Sequence, residues 1–494
     1  MVLDVLTRAN LFRPAWTELL SFEPLTWALI LVVAWTRSWW ATVAAAVALV
    51  GIRTFAIAEH GCRHFLKRPL DLLNDLRLVP ELQELLTNTG GPNTLSFLAV
   101  ALGLYVLLAI ALLRGVSGHT GAVAALAGAV LVPALFLGQN MTLSGRIASE
   151  LGSLTGAGSF EARVAAEHAT VIERWNGADR AFRGRDLHLI VVESYGETVF
   201  RHPPYRALRE ERLPRFAADL AAAGFSVQSR YYRSPTFGGR SWFAHSAISA
   251  GVMVGDSDRY RMLLDSKIEP LASHFRRGGY TTTLVAPAII RAWPESRYFS
   301  FDEVLVFESL GYEGPRFGFA MVPDQWVLDR VSARLGPGPN FVEWHLTSTH
   351  APFTAHAPFL SAEALAAEHP YRDVEVKRFP ITWPDLNNAE VGYAWAMDYE
   401  FQVLADALPR LIEDGGIAIV VGDHQPNGAL TGDEATWNVP CHVIGSNLHR
   451  WEGYREGIEP RGPAAPLSQL FVDILENESV TAESRKDPGD RPER

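Results

Sequence analysis

The sequence contains little cysteine and no excess of basic residues. Its 494 residues include 2 cysteines, Cys62 and Cys441, which lie far apart in the chain. They form neither a disulfide framework nor a CxxC pair for zinc or redox chemistry. Asp and Glu outnumber Lys and Arg by 55 to 44, which gives a net charge of -11. A nucleic-acid partner requires a basic face, so the composition argues against that class of function.

Charged residues are also scarce in the N-terminal part of the chain, outside short clusters. Residues 95–113 and 120–138 are uncharged and long enough to span a bilayer. Residues 38–58 form a further candidate span, and residues 24–35 a shorter one. A cleavable signal peptide fits poorly, because no basic segment leads directly into a single apolar core. We therefore predict a transmembrane helical domain over residues 1–140, with four or five spans.

The remainder alternates short apolar runs with helical patterns. Three runs are each followed by polar residues: "LHLIVVESYG" (187–196), "NFVEWHLTSTHAPF" (340–353) and "GIAIVVGDHQP" (416–426). Strands that alternate with helices predict a mostly parallel central sheet with helices on both faces. We predict such an α/β domain over residues 185–478. A helical connector (141–184) would precede it, and a charged, disordered tail (479–494) would follow.

Residues suited to chemistry come directly after these runs. Glu193 follows the first, His350 the second, and Asp423 and His424 the third. Ligands of parallel sheets bind beyond the carboxyl ends of the strands, so we expect these side chains to meet. Glu193, Asp423 and His424 would offer oxygen ligands and one nitrogen, a set that suits Mn²⁺, Mg²⁺ or Zn²⁺. An Asp-His pair in a turn is often only structural, but the agreement of three runs favours a site.

A nucleophile is offered by "SPTFGGRSWFAHSAISAG" (234–251). Ser241 follows a Gly-Gly pair and Arg240, and it precedes residues with helical spacing. This places it near a helix N-terminus, where free N–H groups and the helix dipole favour an anion. Such a serine is more commonly only an N-cap. It can also be a nucleophile activated by a metal ion. The residues alone leave both interpretations open.

Taken together, these motifs resemble the alkaline-phosphatase superfamily. They comprise an apolar strand ending in an acidic residue, a Ser after a Gly-rich turn, "STHAPF" and a strand ending in "GDH". The closest resemblance is to the sulfatase-like, membrane-anchored transferases, which include lipoteichoic acid synthases and phosphoethanolamine transferases. It covers roughly residues 186–474. It implies an alkaline-phosphatase-like fold behind N-terminal membrane helices, and one divalent metal ion, Mn²⁺ or Zn²⁺ with Mg²⁺ as an alternative.

The resemblance also implies a role for each matching residue. The implied metal ligands are Glu193, Ser241, Asp423 and His424. Ser241 would in addition be the nucleophile that takes the phosphoryl group. The residues implied to bind the substrate phosphate or leaving group are His350, Trp293 and Arg297. The family more often uses Thr as its nucleophile, so Thr236 remains a rival. The C/S-x-P-x-R motif of true sulfatases is absent, since Pro follows Ser234 at once.

Three functions follow, from different classes. The resemblance implies a membrane-bound phosphotransferase that moves phosphoglycerol or phosphoethanolamine from a phospholipid donor to an envelope glycan or lipid, through a phosphoserine intermediate. The same site with water as the acceptor would be a phosphodiesterase, a phosphatase or another sulfatase-like hydrolase. A non-catalytic membrane scaffold with the same fold is the third. The identity of the acceptor separates the first two, and the sequence does not reveal it.

The expected membrane topology involves a conflict. Arg63, Lys67, Arg68 and Arg77 lie between two candidate spans, and the positive-inside rule predicts that this loop is cytoplasmic. With four spans, the C-terminal domain would then be cytoplasmic too. The resemblance implies the opposite, because the family's donors and acceptors lie outside the cytoplasm. We expect a multi-pass protein of a bacterial-type inner (cell) membrane, with its catalytic domain outside the cytoplasm.

Overall fold

The computed structural model describes most of the chain beyond residue 183 and one segment before it. The described residues are 38–71, 184–290, 293–353, 355–377, 387–432, 435–446 and 450–484, with the single positions 75, 106, 107, 164, 168, 169, 171, 175, 182 and 448. The chain divides into two compact units, residues 1–160 with 383–385, and residues 161–382 with 386–494.

In the first unit, helix α1 covers Trp39–Phe65. Glu59, near its end, is fully buried. Its carboxylate accepts hydrogen bonds from Arg63 Nε at 2.6 Å and from the backbone N–H of Leu70 at 2.7 Å. One buried carboxylate thus ties the chain that follows α1 back onto the helix.

The predicted spans fall mainly outside the described residues. Residues 24–35 and 120–138 lie entirely outside them, as does nearly all of 95–113. The candidate at 38–58 falls on α1. None of the helices that the structure describes is long and apolar enough to cross a membrane.

The second unit is built on one mixed sheet of nine strands. Their order is β4-β3-β5-β1-β6-β7-β2-β8, with β9 beside β2. The strands are β1 (Leu187–Val192), β2 (Ser226–Arg233), β3 (Thr281–Ala286), β4 (Glu303–Val306), β5 (Asn340–Leu346), β6 (Ile417–Gly422), β7 (Asn438–Gly445), β8 (Arg455–Glu456) and β9 (Ala465–Pro466). The neighbours from β4 to β6 run parallel, whereas β7 is antiparallel to both β6 and β2. The sheet is therefore parallel through its centre and antiparallel on the β7 side.

Helices connect these strands and cover both faces of the sheet. They are α2 (Thr198–Arg201), α3 (Leu213–Ala222), α4 (Ser241–Ala250), α5 (Ser257–Leu264), α6 (Leu271–Arg277), α7 (Ser296–Phe299), α8 (Phe307–Leu310), α9 (Asp324–Ser332), α10 (Ala362–Leu365), α11 (Asn387–Leu411) and α12 (Leu470–Ser484). Ile190 and Val192 of β1 enter a core shared with α3, α9 and α11. Leu189 and Val191 enter a second core, shared with α4, α6 and α12. A central strand buried on both faces explains the unbroken apolar run of β1.

The C-terminal helix extends into the segment predicted to be a disordered tail. Helix α12 ends at Ser484, so residues 479–484 are helical, and 485–494 lie outside the described residues. The preceding turns are anchored, because Ile474 and Leu475 are buried in the core and Glu478 pairs with Arg185 at 2.5 Å. The other predicted domain boundaries stay predictions.

Candidate metal centre and nucleophile

The strand register brings the predicted acidic residues to one edge of the sheet. Val192 of β1 lies directly opposite Gly422 of β6, so Glu193 and Asp423 are the first residues beyond two neighbouring parallel strands. Gly422 permits this approach, since a Cβ there would lie 1.8 Å from the carbonyl oxygen of Tyr195. Glu193, Asp423 and His424 are buried, and each offers a ligand atom within 4.8 Å of the others. These three side chains, hereafter the metal-ligand cluster, could hold a metal ion.

The Asp423 carboxylate is fixed by the backbone on one side only. Its Oδ1 accepts the N–H of Ser194 at 2.7 Å and the N–H of His424 at 2.6 Å. Its Oδ2 is buried and accepts no hydrogen bond from the described residues, while His424 Nε2 lies 3.3 Å away. A buried carboxylate oxygen without a donor is costly unless a cation completes it. This atom is therefore suited to bind a metal ion.

His424 has the hydrogen bonding typical of a metal-binding histidine. Its Nδ1 lies 2.7 Å from the carbonyl oxygen of Gln425. A carbonyl only accepts hydrogen bonds, so the proton resides on Nδ1 and leaves Nε2 with a free lone pair. Nε2 lies 3.3 Å from Glu193 Oε1. The lone pair of His424 is thus held among the carboxylates.

Ser241 is the first residue of helix α4, and its hydroxyl points at this cluster. The N-cap is Arg240, in the left-handed conformation at φ 62°, and no side chain caps the helix. Ser241 Oγ donates to Glu193 Oε2 at 2.7 Å and lies 3.2 Å from His424 Nε2. The N-cap interpretation of Ser241 is therefore wrong. Its oxygen lies where the helix dipole and free N–H groups stabilise negative charge.

The rival nucleophile, Thr236, is used differently. Its side chain is buried, and its hydroxyl donates to the carbonyl oxygen of Gly239 at 2.6 Å. It closes the Gly-rich turn that precedes α4. Among the described contacts of Thr236, none reaches Glu193, Asp423 or His424. This geometry favours Ser241.

The electrostatics of the cluster fit a bound cation. Burial raises the pKa of Asp423 well above its usual value, and the Glu193 carboxylate adds to the effect. Burial also acts to raise the pKa of Glu193, but His424 and His350 outweigh it and lower that pKa to about 2. Two buried carboxyl groups in such close contact are stabilised by a cation between them. Two carboxylates, an imidazole and a hydroxyl form a donor set that fits Mn²⁺, Zn²⁺ or Mg²⁺.

His350 lies in the turn after β5, near the cluster. Its ring stacks on Phe319, with centroids 3.5 Å apart, and its electrostatic effect reaches Glu193. The neighbouring Thr349 donates its hydroxyl to the carbonyl oxygen of Glu193 at 2.5 Å. The turn that carries His350 is therefore tied directly to the residue after β1.

Arg297 lies on the short helix α7, and Trp293 lies just before that helix. Trp293 stacks on Phe299 at 5.5 Å. Arg297 is exposed and lines a cavity with Ile268 and Pro294. Neither side chain has a described contact with the metal-ligand cluster. Their substrate-binding role stays a prediction.

Several supporting residues could not be found from sequence patterns. Ser194 has a left-handed backbone at φ 57°, which aims its N–H at Asp423. The hydroxyl of Tyr393, on α11, donates to the carbonyl oxygen of Ser194 at 2.7 Å. Gly196 admits Gln425, since a Cβ there would lie 1.9 Å from Gln425 Oε1. A serine in a left-handed turn has no sequence signature, and Tyr393 is distant in the chain.

His245 lies one turn beyond Ser241 on α4. Its ring stacks on His345, with centroids 3.7 Å apart. His345 Nε2 in turn lies 2.8 Å from Glu343 Oε1. Glu193 and His424 both influence His245 electrostatically. The four-residue spacing from Ser241 was the signal that could have identified it.

No family model matches the sequence, and no curated protein matches it. Several solved structures are similar in fold. They include the lipoteichoic acid synthase LtaP from Listeria monocytogenes (13% identity, TM-score 0.38, covering 55% of this chain and 66% of that one). A protein in the alkaline phosphatase superfamily from Vibrio parahaemolyticus is 16% identical (TM-score 0.36, 59% and 66%). The Streptococcus pyogenes phosphoglycerol transferase GacH, in complex with sn-glycerol-1-phosphate, is 13% identical (TM-score 0.43, 67% and 88%).

The matched part of this chain covers 66% of LtaP and 66% of the Vibrio protein. At such identities and TM-scores, the likeness carries no conclusion about what this chain does. What the site does must be inferred from its own side chains.

Proposed function

We propose that this protein is a metal-dependent phosphotransferase. It takes a phospholipid head group, phosphoglycerol or phosphoethanolamine, and passes it to an envelope glycan or lipid. The observation that carries the proposal is the position of Ser241 Oγ, 2.7 Å from Glu193 Oε2 and 3.2 Å from His424 Nε2. A hydroxyl at a helix N-terminus, beside a buried set of metal-type ligands, is suited to attack phosphorus.

In this proposal Glu193, Asp423 and His424 hold one Mn²⁺ or Zn²⁺ ion, with Ser241 Oγ beside it. Such an ion lowers the pKa of a hydroxyl and neutralises charge on a phosphate. The chain supplies the remaining chemistry. The first N–H groups of α4 favour an anionic oxygen at Ser241. His350 binds the donor phosphate or the leaving group, and Trp293 and Arg297 are further candidates for that role.

The reaction has two steps. Ser241 Oγ forms a bond to phosphorus as the bond from phosphorus to the diacylglycerol oxygen breaks, and the Oγ proton is lost to the surroundings while diacylglycerol gains one. An acceptor hydroxyl then attacks the phosphoserine, loses its proton, and restores the Ser241 hydroxyl. We further propose that this takes place outside the cytoplasm, at a bacterial-type cell membrane. The uncharged segments 95–113 and 120–138 support a membrane anchor.

The test is to trap the intermediate. The purified full chain with Mn²⁺ or Zn²⁺ should release diacylglycerol from phosphatidylglycerol or phosphatidylethanolamine vesicles. Without an acceptor, mass spectrometry should find one head-group phosphate on the peptide containing Ser241. Ser241→Ala should keep its metal ion yet lose turnover by about a thousandfold or more, because the covalent step is deleted.

The matched control is Thr236→Ala, which removes a nearby hydroxyl bonded to Gly239. It should keep the label on Ser241 and most of the turnover. Label on Thr236 would replace the proposed nucleophile. Unlabelled protein together with an active Ser241→Ala variant would contradict covalent catalysis, and release of free head-group phosphate would assign water as the acceptor.

A further inference from the structure

A second pair of buried carboxyl groups lies outside the metal-ligand cluster. Asp324 is the first residue of α9, and Glu400 lies within α11. Both side chains are fully buried. Neither belongs to a strand end, and the proposed reaction uses neither. Buried acidic groups without a cationic partner are rare, because burial opposes their ionisation.

Asp324 holds the first residues of the turn that carries His350. Its Oδ1 accepts the N–H of Thr347 at 3.1 Å, and its Oδ2 accepts the N–H of Ser348 at 2.6 Å. The hydroxyl oxygen of Ser348 in turn accepts the N–H of Asp324 at 3.3 Å. One carboxylate therefore fixes the two residues that follow β5. The next residues along the chain are Thr349, bonded to Glu193, and His350 itself.

Glu400 completes this arrangement with a proton. Among the described residues, no N–H or O–H group donates a hydrogen bond to either of its carboxyl oxygens. Its hydrogen-bonding neighbour is the Asp324 carboxyl. A hydrogen bond between two carboxyl groups requires one proton. Because Asp324 already accepts two N–H groups, that proton resides on Glu400 and is donated to Asp324.

The surroundings of the pair keep that proton in place. Burial raises the pKa of Glu400 well above its usual value, and Asp324 raises it further. Burial also raises the pKa of Asp324, an effect its backbone N–H donors oppose. Tyr371 and Tyr399 are the other titratable groups that face the pair, and burial raises the pKa of both hydroxyls.

We propose that Asp324 and Glu400 are positioning residues for His350: the proton they share holds the Thr347–His350 turn in its binding position, and loss of that proton as the pH rises releases the turn. Without the proton, two buried carboxylates face each other and repel. Release of the N–H groups of Thr347 and Ser348 lets Asp324 move away from Glu400. The kinetic part of this proposal rests on the proposed function, because it takes His350 to bind the donor phosphate.

The kinetic test uses the purified full chain and phosphatidylglycerol vesicles over a range of pH. Asp324→Asn should lower kcat/KM by about 10- to 100-fold with unchanged metal content, because a slightly displaced binding group costs rates of that order. Glu400→Gln carries a permanent N–H donor. It should keep the neutral-pH rate within about twofold and lose the alkaline decline of the wild type. Glu478→Gln, a buried acid paired with Arg185, is the control and should keep the wild-type pH profile.

A second measurement does not depend on activity. Hydrogen–deuterium exchange of residues 347–350, corrected for intrinsic rates, should accelerate in the wild type as the pH rises. Glu400→Gln should suppress this acceleration, and Asp324→Asn should show fast exchange even at neutral pH. Ser348→Ala, which removes only the hydroxyl bonded to Asp324, should give an intermediate rate. If wild type and Glu400→Gln exchange identically at every pH, the positioning role is wrong, whether or not phospholipid turns over.

Discussion

The two buried carboxyl pairs, Glu193 with Asp423 and Asp324 with Glu400, differ in what surrounds them. The first pair faces an imidazole and a hydroxyl, at the ends of two adjacent parallel strands. The second faces the hydroxyls of Tyr371 and Tyr399. In both, burial and a neighbouring carboxylate raise the pKa of one member. An imidazole nitrogen donor suits the first pair to a metal ion, whereas the second has only a proton to offset its charge.

A buried carboxylate pair therefore does not by itself indicate a metal site. The lone pair of His424 and the free Oδ2 of Asp423 converge with Glu193 on one small space. Each carboxylate oxygen of Asp324, in contrast, accepts a hydrogen bond from a backbone N–H group. The first pair is arranged to bind something else, and the second to hold its own backbone.

The greatest loss of activity is expected from a substitution that removes one carboxylate of the first pair. Asp423→Ala should remove the metal ion and lower turnover by about a thousandfold or more, because both carboxylate ligands are needed to hold a dication. Metal content by elemental analysis and diacylglycerol release would measure it. Asp324→Asn is the matched control and should retain its metal. Full metal content in Asp423→Ala would show that the cluster is not the binding site.

A conservative change at the same position should act in opposite directions on stability with and without metal. In metal-free protein, Asp423→Asn should raise the free energy of unfolding by about 1–3 kcal/mol, because an uncompensated buried charge is removed. Added Zn²⁺ at about a hundredfold its Kd should stabilise the wild type by about 3 kcal/mol and leave Asp423→Asn unchanged. Thermal unfolding with chelator and with Zn²⁺ would measure both. A variant that is less stable than wild type under chelator would contradict the electrostatic argument.

A smaller effect tests the second pair. The folded-state pKa of Glu400 lies well above the usual 4.5, so its contribution to stability is complete below that value and is lost as the pH rises towards the folded-state pKa. Glu400→Gln should therefore be more stable than wild type by about 1–3 kcal/mol at alkaline pH, with little difference in acid. Urea unfolding at about pH 5 and about pH 9 would measure it. Parallel pH dependences in the two proteins would mean that Glu400 does not hold the proton.

Another pH effect concerns Glu343, a buried acid that contacts His345. Burial raises its pKa from 4.5 to about 8. Its stabilising contribution should therefore be full below about pH 4.5 and be lost as the pH rises to about 8. Glu343→Gln should flatten this pH dependence by about 4–5 kcal/mol at most, because each unit of pKa shift is worth about 1.4 kcal/mol, and leave metal content intact. Unfolding free energies across that range are the measurement, and a slope equal to that of the wild type would refute it.

The metal-ligand cluster could be predicted from the sequence because its geometry follows from strand direction. Glu193 and Asp423 each follow an apolar run, and parallel neighbours bring such positions to one edge. The direction of β7 could not be predicted in this way. Its run, "NVPCHVIG", is buried like a parallel strand, and the antiparallel pairing with β6 depends on the path of the preceding loop.

Residues that depend on tertiary packing could not be found from the sequence. The Asp324–Glu400 pair joins two helices that are distant in the chain, and an acid within a helix normally indicates a solvent-facing position. Trp293 and Arg297 were assigned by motif alone, in a segment whose path is set by Phe299 and its neighbours. Motif order identifies ligands at strand ends, but it does not fix where a loop between strands is placed.

Helix α11 restricts how the chain can vary in length. Tyr393 contacts Ser194, beside the metal-ligand cluster, and Glu400 contacts Asp324. Tyr393 and Glu400 both lie on this 25-residue helix. Seven residues make about two helical turns, so the two side chains share one face about 10 Å apart. A single inserted residue between them would rotate one by about 100° relative to the other. The helix should thus accept substitutions at its exposed positions, Val391 and Trp395, while an insertion or deletion between Tyr393 and Glu400 should disrupt one of the two contacts.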